Sequence, residues 1–157
     1  MKISDVVCFG AIIPELQSSD RDGAIKELVG ALSKAGALGK ASADEISKVV
    51  IKRENEASTG LGRGVAVPHI KHNGMKNVVA AIGRSPGGID FASLDKQPVY
   101  SVILLISPVD DPDKHLQAME SIFKHLQRDN FRKFLRQSQT ADQIADLIKE
   151  ADDNPTL

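Results

Sequence analysis

The sequence predicts a single layered α/β domain, and two observations lead to that class. Apolar residues at helical spacing occupy both ends of the chain, whereas short runs of β-branched and aliphatic residues occupy its middle. The 41% hydrophobic and 26% charged fractions of the 157 residues are typical of a globular domain. A chain of this length buries about 70% of the surface that it exposes when unfolded, which is enough for a sizeable core.

The chain opens with an apolar run over residues 6–13, which predicts a buried strand or turn. Asp5 precedes this run and Pro14 ends it, and no clear cleavage site follows, so the run does not fit a secretion signal. Between residues 20 and 37 the spacing of three and four predicts one apolar helical face, formed by Ile25, Leu28, Val29 and Leu32.

A second helix should begin after Ser42. Ser42 and Glu45 form a capping-box pattern, and the apolar residues that follow continue toward Arg53. Arg53 is therefore expected near the C-terminal end of this helix.

The middle of the chain predicts a shaped loop followed by strands. Residues 57–64 contain too many glycines for a regular element. Residues 65–67 are expected to form a short strand, and residues 78–82 and 99–106 two buried strands. Residues 85–88, with the sequence SPGG, predict a turn between those two strands.

The last third of the chain returns to helical spacing. Pro112 suits a first helical turn, which places His115 in or beside that turn. The apolar face of this helix is predicted to contain Leu116, Met119, Ile122, Phe123 and Leu126. A final helix should begin after Thr140. We expect one domain over residues 1–150 and a flexible tail over 151–157.

Composition excludes several classes of function. The 20 basic and 21 acidic residues give a net charge of -1, so no electrostatic argument favours nucleic acid as a partner. Cys8 is the only cysteine, which rules out an internal disulfide, favours a reducing compartment and suits a small core position. No stretch approaches the ~20 apolar residues of a membrane-spanning helix, so we expect a cytoplasmic protein without membrane insertion.

Familiar nucleotide, metal and hydrolase motifs do not fit. The glycine-rich loop lacks the lysine of a phosphate-binding P-loop, and Val65 occupies the last glycine position of a dinucleotide fingerprint. The histidine spacings match no zinc pattern, and no Gly-x-Ser-x-Gly nucleophile motif occurs. We therefore expect no metal and no bound cofactor.

Two of the four histidines occupy positions where ligands gather in layered α/β folds. His69 ends a strand beside the glycine-rich loop, and His115 opens a helix just after a strand. His72 lies in a polar stretch and is predicted in an exposed turn. His125 lies between Lys124 and Arg128 and is predicted on a solvated helix face.

Residues 53–69, with the sequence RENEASTGLGRGVAVPH, resemble the signature of enzyme IIA domains of the fructose, mannitol and nitrogen-regulatory class. These domains belong to the bacterial phosphoenolpyruvate-dependent phosphotransferase system. Matches continue in residues 88–91, 95 and 98–99, and at His115 with its neighbour Leu116. The resemblance runs from about residue 3 to 148. Ile70 departs from it, because many members have glycine there, and the larger side chain could narrow access to His69.

The resemblance implies a fold, a reaction and site residues. The fold would be the mannitol-type one, with a central mixed β-sheet flanked by helices. His69 would accept a phosphoryl group from the carrier protein HPr and pass it to a IIB domain or another acceptor. His115 and Arg53 would bind the phosphoryl oxygens, although Arg53 alone would suggest a salt bridge with a neighbouring glutamate. Ser58 and Thr59 would donate hydroxyl bonds or only shape the turn.

Several functional alternatives stay open. Residues 95–99 favour a nitrogen-regulatory protein that signals to a regulated target, and the alternative is a separate fructose- or mannitol-type IIA for sugar uptake. A third reading is an interaction module without transfer, which the intact His69, His115 and Arg53 argue against. HPr is expected to dock around Leu61, Val67 and Ile70. The basic residues Lys124, Arg128, Arg132, Lys133 and Arg136 are expected to form a solvated face, with Phe131 and Phe134 in the core.

Overall fold

A computed structural model describes residues 1–154 and 157 and shows a mixed β-sheet with helices on both faces. The helices are α1 (Ile3–Val6), α2 (Arg21–Lys34), α3 (Ala43–Glu56), α4 (Pro112–Leu126), α5 (Asp129–Gln137) and α6 (Ala141–Asp153). The strands are β1 (Val7–Ile13), β2 (Gly60–Gly62), β3 (Val65–Ala66), β4 (His69–His72), β5 (Val79–Ile89) and β6 (Val99–Pro108). Within these described residues, no helix is both long and apolar enough to cross a membrane.

The sheet has the order β1-β5-β6-β3-β2, and β4 also pairs with β6. Strands β1 and β5 are parallel, β5 and β6 are antiparallel, and both β3 and β4 run parallel to β6. Strand β4 begins opposite Leu105, with His69 as the partner of that residue. Since β4 pairs with β6 alone among the described strands, it lies at an edge of the sheet. The predicted layered α/β class with a mixed sheet is confirmed.

Strand β6 divides the hydrophobic core into two layers. Ile103 and Leu105 pack on the side of α4, α5 and α6, whereas Leu104 and Ile106 pack on the side of α2 and α3. This alternation follows from the two-residue period of a strand, which sends successive side chains to opposite faces. The continuous apolar run of β6 thus reflects burial on both faces.

The predicted helix starts are confirmed by cap geometry. The Ser42 hydroxyl accepts a hydrogen bond from the Glu45 backbone N–H, and Thr140 accepts one from Gln143 in the same way. Pro112 is in the first turn of α4, where its missing N–H leaves no bond unmade. Each side-chain cap contributes roughly 1 kcal/mol to helix stability.

The predicted turn at residues 85–88 is wrong, because these residues continue strand β5. The pairing of β5 with β6 is regular up to Arg84 and resumes at Ile89, with an irregular register between them. Gly88 has a φ of 83°, a left-handed conformation that costs glycine little. The SPGG sequence therefore bends a long strand instead of ending it.

Two predictions about burial and one about the end of the chain are also corrected. Leu116 and Phe134 were expected in the core, but they are 58% and 43% exposed, because each lies beyond the apolar stripe of its helix. The predicted tail over 151–157 is wrong for residues 151–153, which complete α6. Asn154 and Leu157 follow the helix, and residues 155–156 are outside the described part of the chain.

The end of α6 is held to the start of the chain by Asp152. Its carboxylate accepts hydrogen bonds from the backbone N–H groups of Ile3 (2.9 Å) and Ser4 (3.0 Å) and from the Ser4 hydroxyl (2.5 Å). Burial alone would raise the pKa of Asp152, but the bonds from Ser4 and Ile3 outweigh burial and hold the pKa below its ordinary value. The ionised carboxylate therefore stabilises the fold.

We predict that Asp152→Asn lowers the free energy of unfolding at neutral pH by about 2 kcal/mol, because the NH2 group that replaces one carboxylate oxygen would face one of the two backbone N–H donors. The pKa of Asp152 is lower in the folded protein than in the unfolded chain. The greater free energy of unfolding of the wild type is therefore present above about pH 4, and it is lost as the pH falls through the folded-state pKa. Urea unfolding between neutral and acid pH measures both effects. Asp153→Asn is the matched control, because that carboxylate is 78% exposed; equal losses in the two variants would contradict the assignment.

Candidate functional site

A surface hollow opens where edge strand β4 meets the end of α3 and the start of α4. It is lined by Val49, Lys52, Arg53, Glu56, His69, Ile70, Lys71 and His115. The ring centroids of His69 and His115 are 5.9 Å apart, and the ring planes are inclined by 42°. The structure thus brings together three of the five predicted site residues, although they come from β4, α3 and α4.

The His69 ring is oriented by the backbone just before its strand. Its Nδ1 lies 2.7 Å from the Val67 carbonyl oxygen. A carbonyl can only accept a hydrogen bond, so Nδ1 carries a proton, and in the neutral ring Nε2 has the free lone pair. The half-buried His69 is therefore held as the tautomer whose Nε2 can act as a nucleophile.

His115 is positioned by a buried serine. Its Nδ1 lies 2.6 Å from the hydroxyl oxygen of Ser107, which is fully buried on β6. Burial lowers the pKa of His115, and the nearby His69 and Lys71 lower it further. His115 is thus favoured as a neutral imidazole near pH 7.

Arg53 lies in the last turn of α3, as predicted. Its Nη1 donates a hydrogen bond of 2.8 Å to the Ala57 carbonyl oxygen. Among the described residues no ion pair joins Arg53 to Glu54 or Glu56, so the alternative of a helix-end salt bridge is not supported. The guanidinium keeps further N–H groups for an anion in the hollow.

The hydroxyls of Ser58 and Thr59 bond to the protein itself. The Ser58 hydroxyl donates a hydrogen bond of 2.5 Å to the Phe91 carbonyl oxygen and accepts one from the Gly60 N–H. Thr59 is buried, and both its hydroxyl and its backbone N–H donate to the Glu54 carboxylate. Of the two predicted alternatives, shaping the turn agrees with these contacts.

Two residues of the site were missed by sequence reasoning. Glu54 is only 3% exposed and ties the glycine-rich loop to α3, and Ser107 orients His115. The adjacency of Glu54 to Arg53, followed by Ser-Thr, is a signal that could have indicated a buried carboxylate. No local signal marks Ser107, because its partner comes from a different element.

The electrostatics of the hollow favour an anion. Lys52, Arg53 and Lys71 contribute three cations to its lining, against the one carboxylate of Glu56. His115 is in the first turn of α4, where the helix dipole also favours negative charge.

The other two histidines contradict the sequence-based predictions. His72 is buried on β4 instead of exposed in a turn, and its Nε2 pairs with the Glu45 carboxylate at 3.1 Å. His125 is 4% exposed instead of solvated, and its Nε2 lies 3.4 Å from the Asp152 carboxylate. Both face a neighbouring helix that the local sequence does not reveal.

The predicted docking surface is also corrected. Val67 and Ile70 are buried in the two core layers, with 0% and 7% exposure, so neither presents an apolar patch. Ile70 forms the buried wall of the hollow on the α3 side. Because it follows His69 on β4, its side chain points to the opposite face of the sheet. Leu61 is exposed but lines a different depression together with Phe123 and Arg132.

The fold and the hollow define a class of protein, an α/β domain that presents two histidine rings in a cation-lined hollow at a sheet edge. The family model described as phosphoenolpyruvate-dependent sugar phosphotransferase system, EIIA 2, matches residues 10–151. The chain therefore belongs to this family, as the resemblance of residues 53–69 predicted. Domains of this family take part in phosphoryl transfer.

Relatives in the family come from two functional branches. The chain is 34% identical over 152 residues to the fructose-specific EIIABC component of Bacillus subtilis, covering 97% of this chain and 24% of that protein. It thus spans about a quarter of that relative's length. It is 33% identical over 148 residues to a nitrogen regulatory protein of Bradyrhizobium diazoefficiens, covering 94% of this chain and 95% of the relative.

Solved structures share the fold. The nitrogen regulatory protein IIA-Ntr of Neisseria meningitidis matches with a TM-score of 0.84 at 23% identity, over 93% of this chain and 98% of that one. The mannitol enzyme IIA of Escherichia coli, in a complex with phosphorylated enzyme IIB, matches with a TM-score of 0.73 at 18% identity, over 90% and 95% of the two chains. The predicted mannitol-type fold is confirmed.

Proposed function

We propose that this domain is a phosphohistidine carrier that accepts a phosphoryl group from an HPr-like protein on His69. The group is then passed to a IIB domain, or its presence on His69 serves as a regulatory signal in the cytoplasm. One observation carries the proposal: the Val67 carbonyl holds the Nδ1 proton of His69 and leaves Nε2 free in a cation-lined hollow.

The proposed step exchanges one phosphorus–nitrogen bond for another. The lone pair of His69 Nε2 attacks the phosphorus of a phosphohistidine on the donor, and the bond to the donor nitrogen breaks as its electron pair returns to that nitrogen. No proton has to leave Nε2, because the proton is on Nδ1 and stays bonded to the Val67 carbonyl. The reverse exchange with an acceptor completes the carrier cycle.

The remaining groups would stabilise the charge of the phosphoryl oxygens. In-line transfer needs positioning and electrostatic stabilisation more than covalent help. We assign Arg53 and His115 to these oxygens, with Ser107 fixing the His115 ring through Nδ1 so that Nε2 faces the hollow. Ser58 and Thr59 then keep the loop in place, since their hydroxyls are engaged by Phe91 and Glu54.

We favour the nitrogen-regulatory branch, in which the phosphorylation state of His69 is read by a regulated target. The support is the nitrogen regulatory relative that matches over nearly its whole length. Asp95 belongs to the stretch of residues 95–99 that favoured this branch. Its carboxylate accepts hydrogen bonds from the backbone N–H groups of Arg63 and Gln97, so its structural role is to hold the loop. A fructose-type IIA is the second candidate, supported by the Bacillus relative. Transfer to a fructose-type IIB domain would favour that second candidate.

We predict that phosphoenolpyruvate, enzyme I and HPr together add one phosphoryl group, labile to acid, to the wild-type chain. His69→Gln should abolish the addition, because its amide offers no nucleophilic nitrogen. His72→Gln is the matched control, since it makes the same change on the same strand but on the α3 side. Intact-mass measurement follows the reaction. Phosphorylation of His69→Gln would overturn the carrier proposal, and an unmodified wild type would favour an interaction module without transfer.

For His115 we predict impaired transfer with the phosphorylation site intact. His115→Ala should still gain the phosphoryl group, but onward transfer should slow on the order of 10²-fold, as for loss of one transition-state donor. Rapid-quench measurement of both directions tests this. In addition, a phosphoryl dianion on His69 should raise the pKa of His115, because it favours the imidazolium form. Wild-type rates in both directions would remove His115 from the site.

The third prediction places the docking surface beside the hollow. Leu116 is 58% exposed directly after His115, and we expect Leu116→Asp to slow phosphorylation by HPr about tenfold or more by inserting a charge into an apolar contact. The double variant Arg132→Glu with Arg136→Glu should leave the rate nearly unchanged. Arg132 donates a hydrogen bond to the Leu126 carbonyl, and Arg136 lies over the Tyr100 ring, so both residues are away from β4. A larger effect of the charge reversal would show that HPr docks there.

A further inference from the structure

A second pocket runs along α4 and just past its end, from Gln117 to Arg128, and shares no lining residue with the hollow around His69. The end of α6 and the start of the chain complete its lining, which includes Lys2, Glu120, Lys124, His125 and Asp152. His115 and His125 are ten residues apart on one helix, which corresponds to about 15 Å along its axis. This pocket is therefore separate from the hollow around His69.

Two buried polar atoms on this pocket's residues have no hydrogen-bond partner among the described residues. They are Nδ1 of His125 and Nη1 of Arg128. His125 is 4% exposed, and its ring stacks on Phe131 with centroids 5.4 Å apart. A buried donor or acceptor without a partner is destabilising, and more so when it is charged, so each such group in a native protein calls for an explanation, such as an ordered water, a bound ion or a catalytic role.

The Asp152 carboxylate does not neutralise these groups completely. Its oxygens already accept bonds from Ile3 and Ser4, and it approaches His125 only through Nε2. The other ring nitrogen of His125, Nδ1, has no hydrogen-bond partner among the described residues. The Arg128 guanidinium is without an ion pair in the described part of the chain, and Lys124 adds a second cation at the rim.

We propose that this pocket binds an oxyanion of the phosphate or sulfate type, held by the Arg128 guanidinium and the His125 imidazolium. Arg128 would donate charge-assisted hydrogen bonds from Nη1, and protonated His125 would donate from Nδ1 while Nε2–H faces Asp152. Both unpartnered groups would then be satisfied together. A free phosphate ion and the phosphate group of a small metabolite share this chemistry.

The affinity for the oxyanion should depend on pH, because binding is linked to the protonation of His125. Without ligand, burial lowers the pKa of His125, Arg128 lowers it further, and Asp152 opposes both. Lys124 also lowers it, and Glu120 is the other carboxylate of the pocket. An oxyanion beside Nδ1 favours the imidazolium form, so binding should raise the pKa of His125 and should weaken as pH rises.

The test follows the imidazole nitrogens of the full chain by NMR in sulfate and in chloride at equal ionic strength. Sulfate keeps its charge between about pH 5.5 and 8.5, so any pH dependence in that range comes from the protein. We expect saturating sulfate to raise the pKa of His125 by about one unit or more relative to chloride. Inorganic phosphate and glycerol phosphate serve as further probes; tighter binding of the ester would identify a metabolite as the source, and tighter binding of phosphate the free ion.

Three variants keep the test decisive. Arg128→Gln should weaken sulfate binding about tenfold or more, and the exposed Lys124→Gln, which does not disturb the core, should weaken it less. Lys133→Gln removes one exposed cation elsewhere and should behave as wild type. The response of His125 should persist in His69→Gln, which separates it from the phosphoryl site. Identical titration of His125 in the two salts, equal effects of Arg128→Gln and Lys133→Gln, or loss of the response in His69→Gln would overturn the proposal.

Discussion

The candidate site depends on one buried carboxylate. Glu54 is 3% exposed at the end of α3, and a buried charge without partners would cost several kcal/mol. It is compensated when the loop folds back so that Thr59 donates from both its N–H and its hydroxyl. The Thr59 carbonyl then accepts a bond of 3.1 Å from the Val67 N–H, and the Val67 carbonyl holds Nδ1 of His69. The orientation of His69 is thus linked to Glu54 by a continuous series of hydrogen bonds.

The edge position of β4 makes the hollow possible. A central strand has a neighbouring strand on each side and a helical layer over each face, whereas an edge strand leaves one side open. At this edge the helices of both layers come together, Arg53 from α3 and His115 from α4. The hollow can therefore combine a guanidinium, a neutral imidazole and a helix N-terminus beside His69.

The four histidines show how surroundings decide the role of one residue type. His69 is fixed by a carbonyl, His115 by a serine hydroxyl, and His72 by a glutamate. His125 is held at Nε2 by Asp152 and keeps Nδ1 unpaired. Because α4 carries His115 at its first turn and His125 at its last, a single helix connects the hollow around His69 with the proposed oxyanion pocket.

The elements whose signals are local could be predicted from the sequence. The caps at Ser42 and Thr140 and the long motif over residues 53–69 depend on neighbouring residues, so the helix starts and the family were predictable, and Arg53 and His69 could be proposed together as site residues. Which residues from distant elements meet depends instead on the packing of the whole fold. The exposure of Leu116, the burial of His72 and the contacts of Ser107 and Asp152 depend on where whole helices pack on the sheet, because burial is a property of the assembled layers and not of a local pattern.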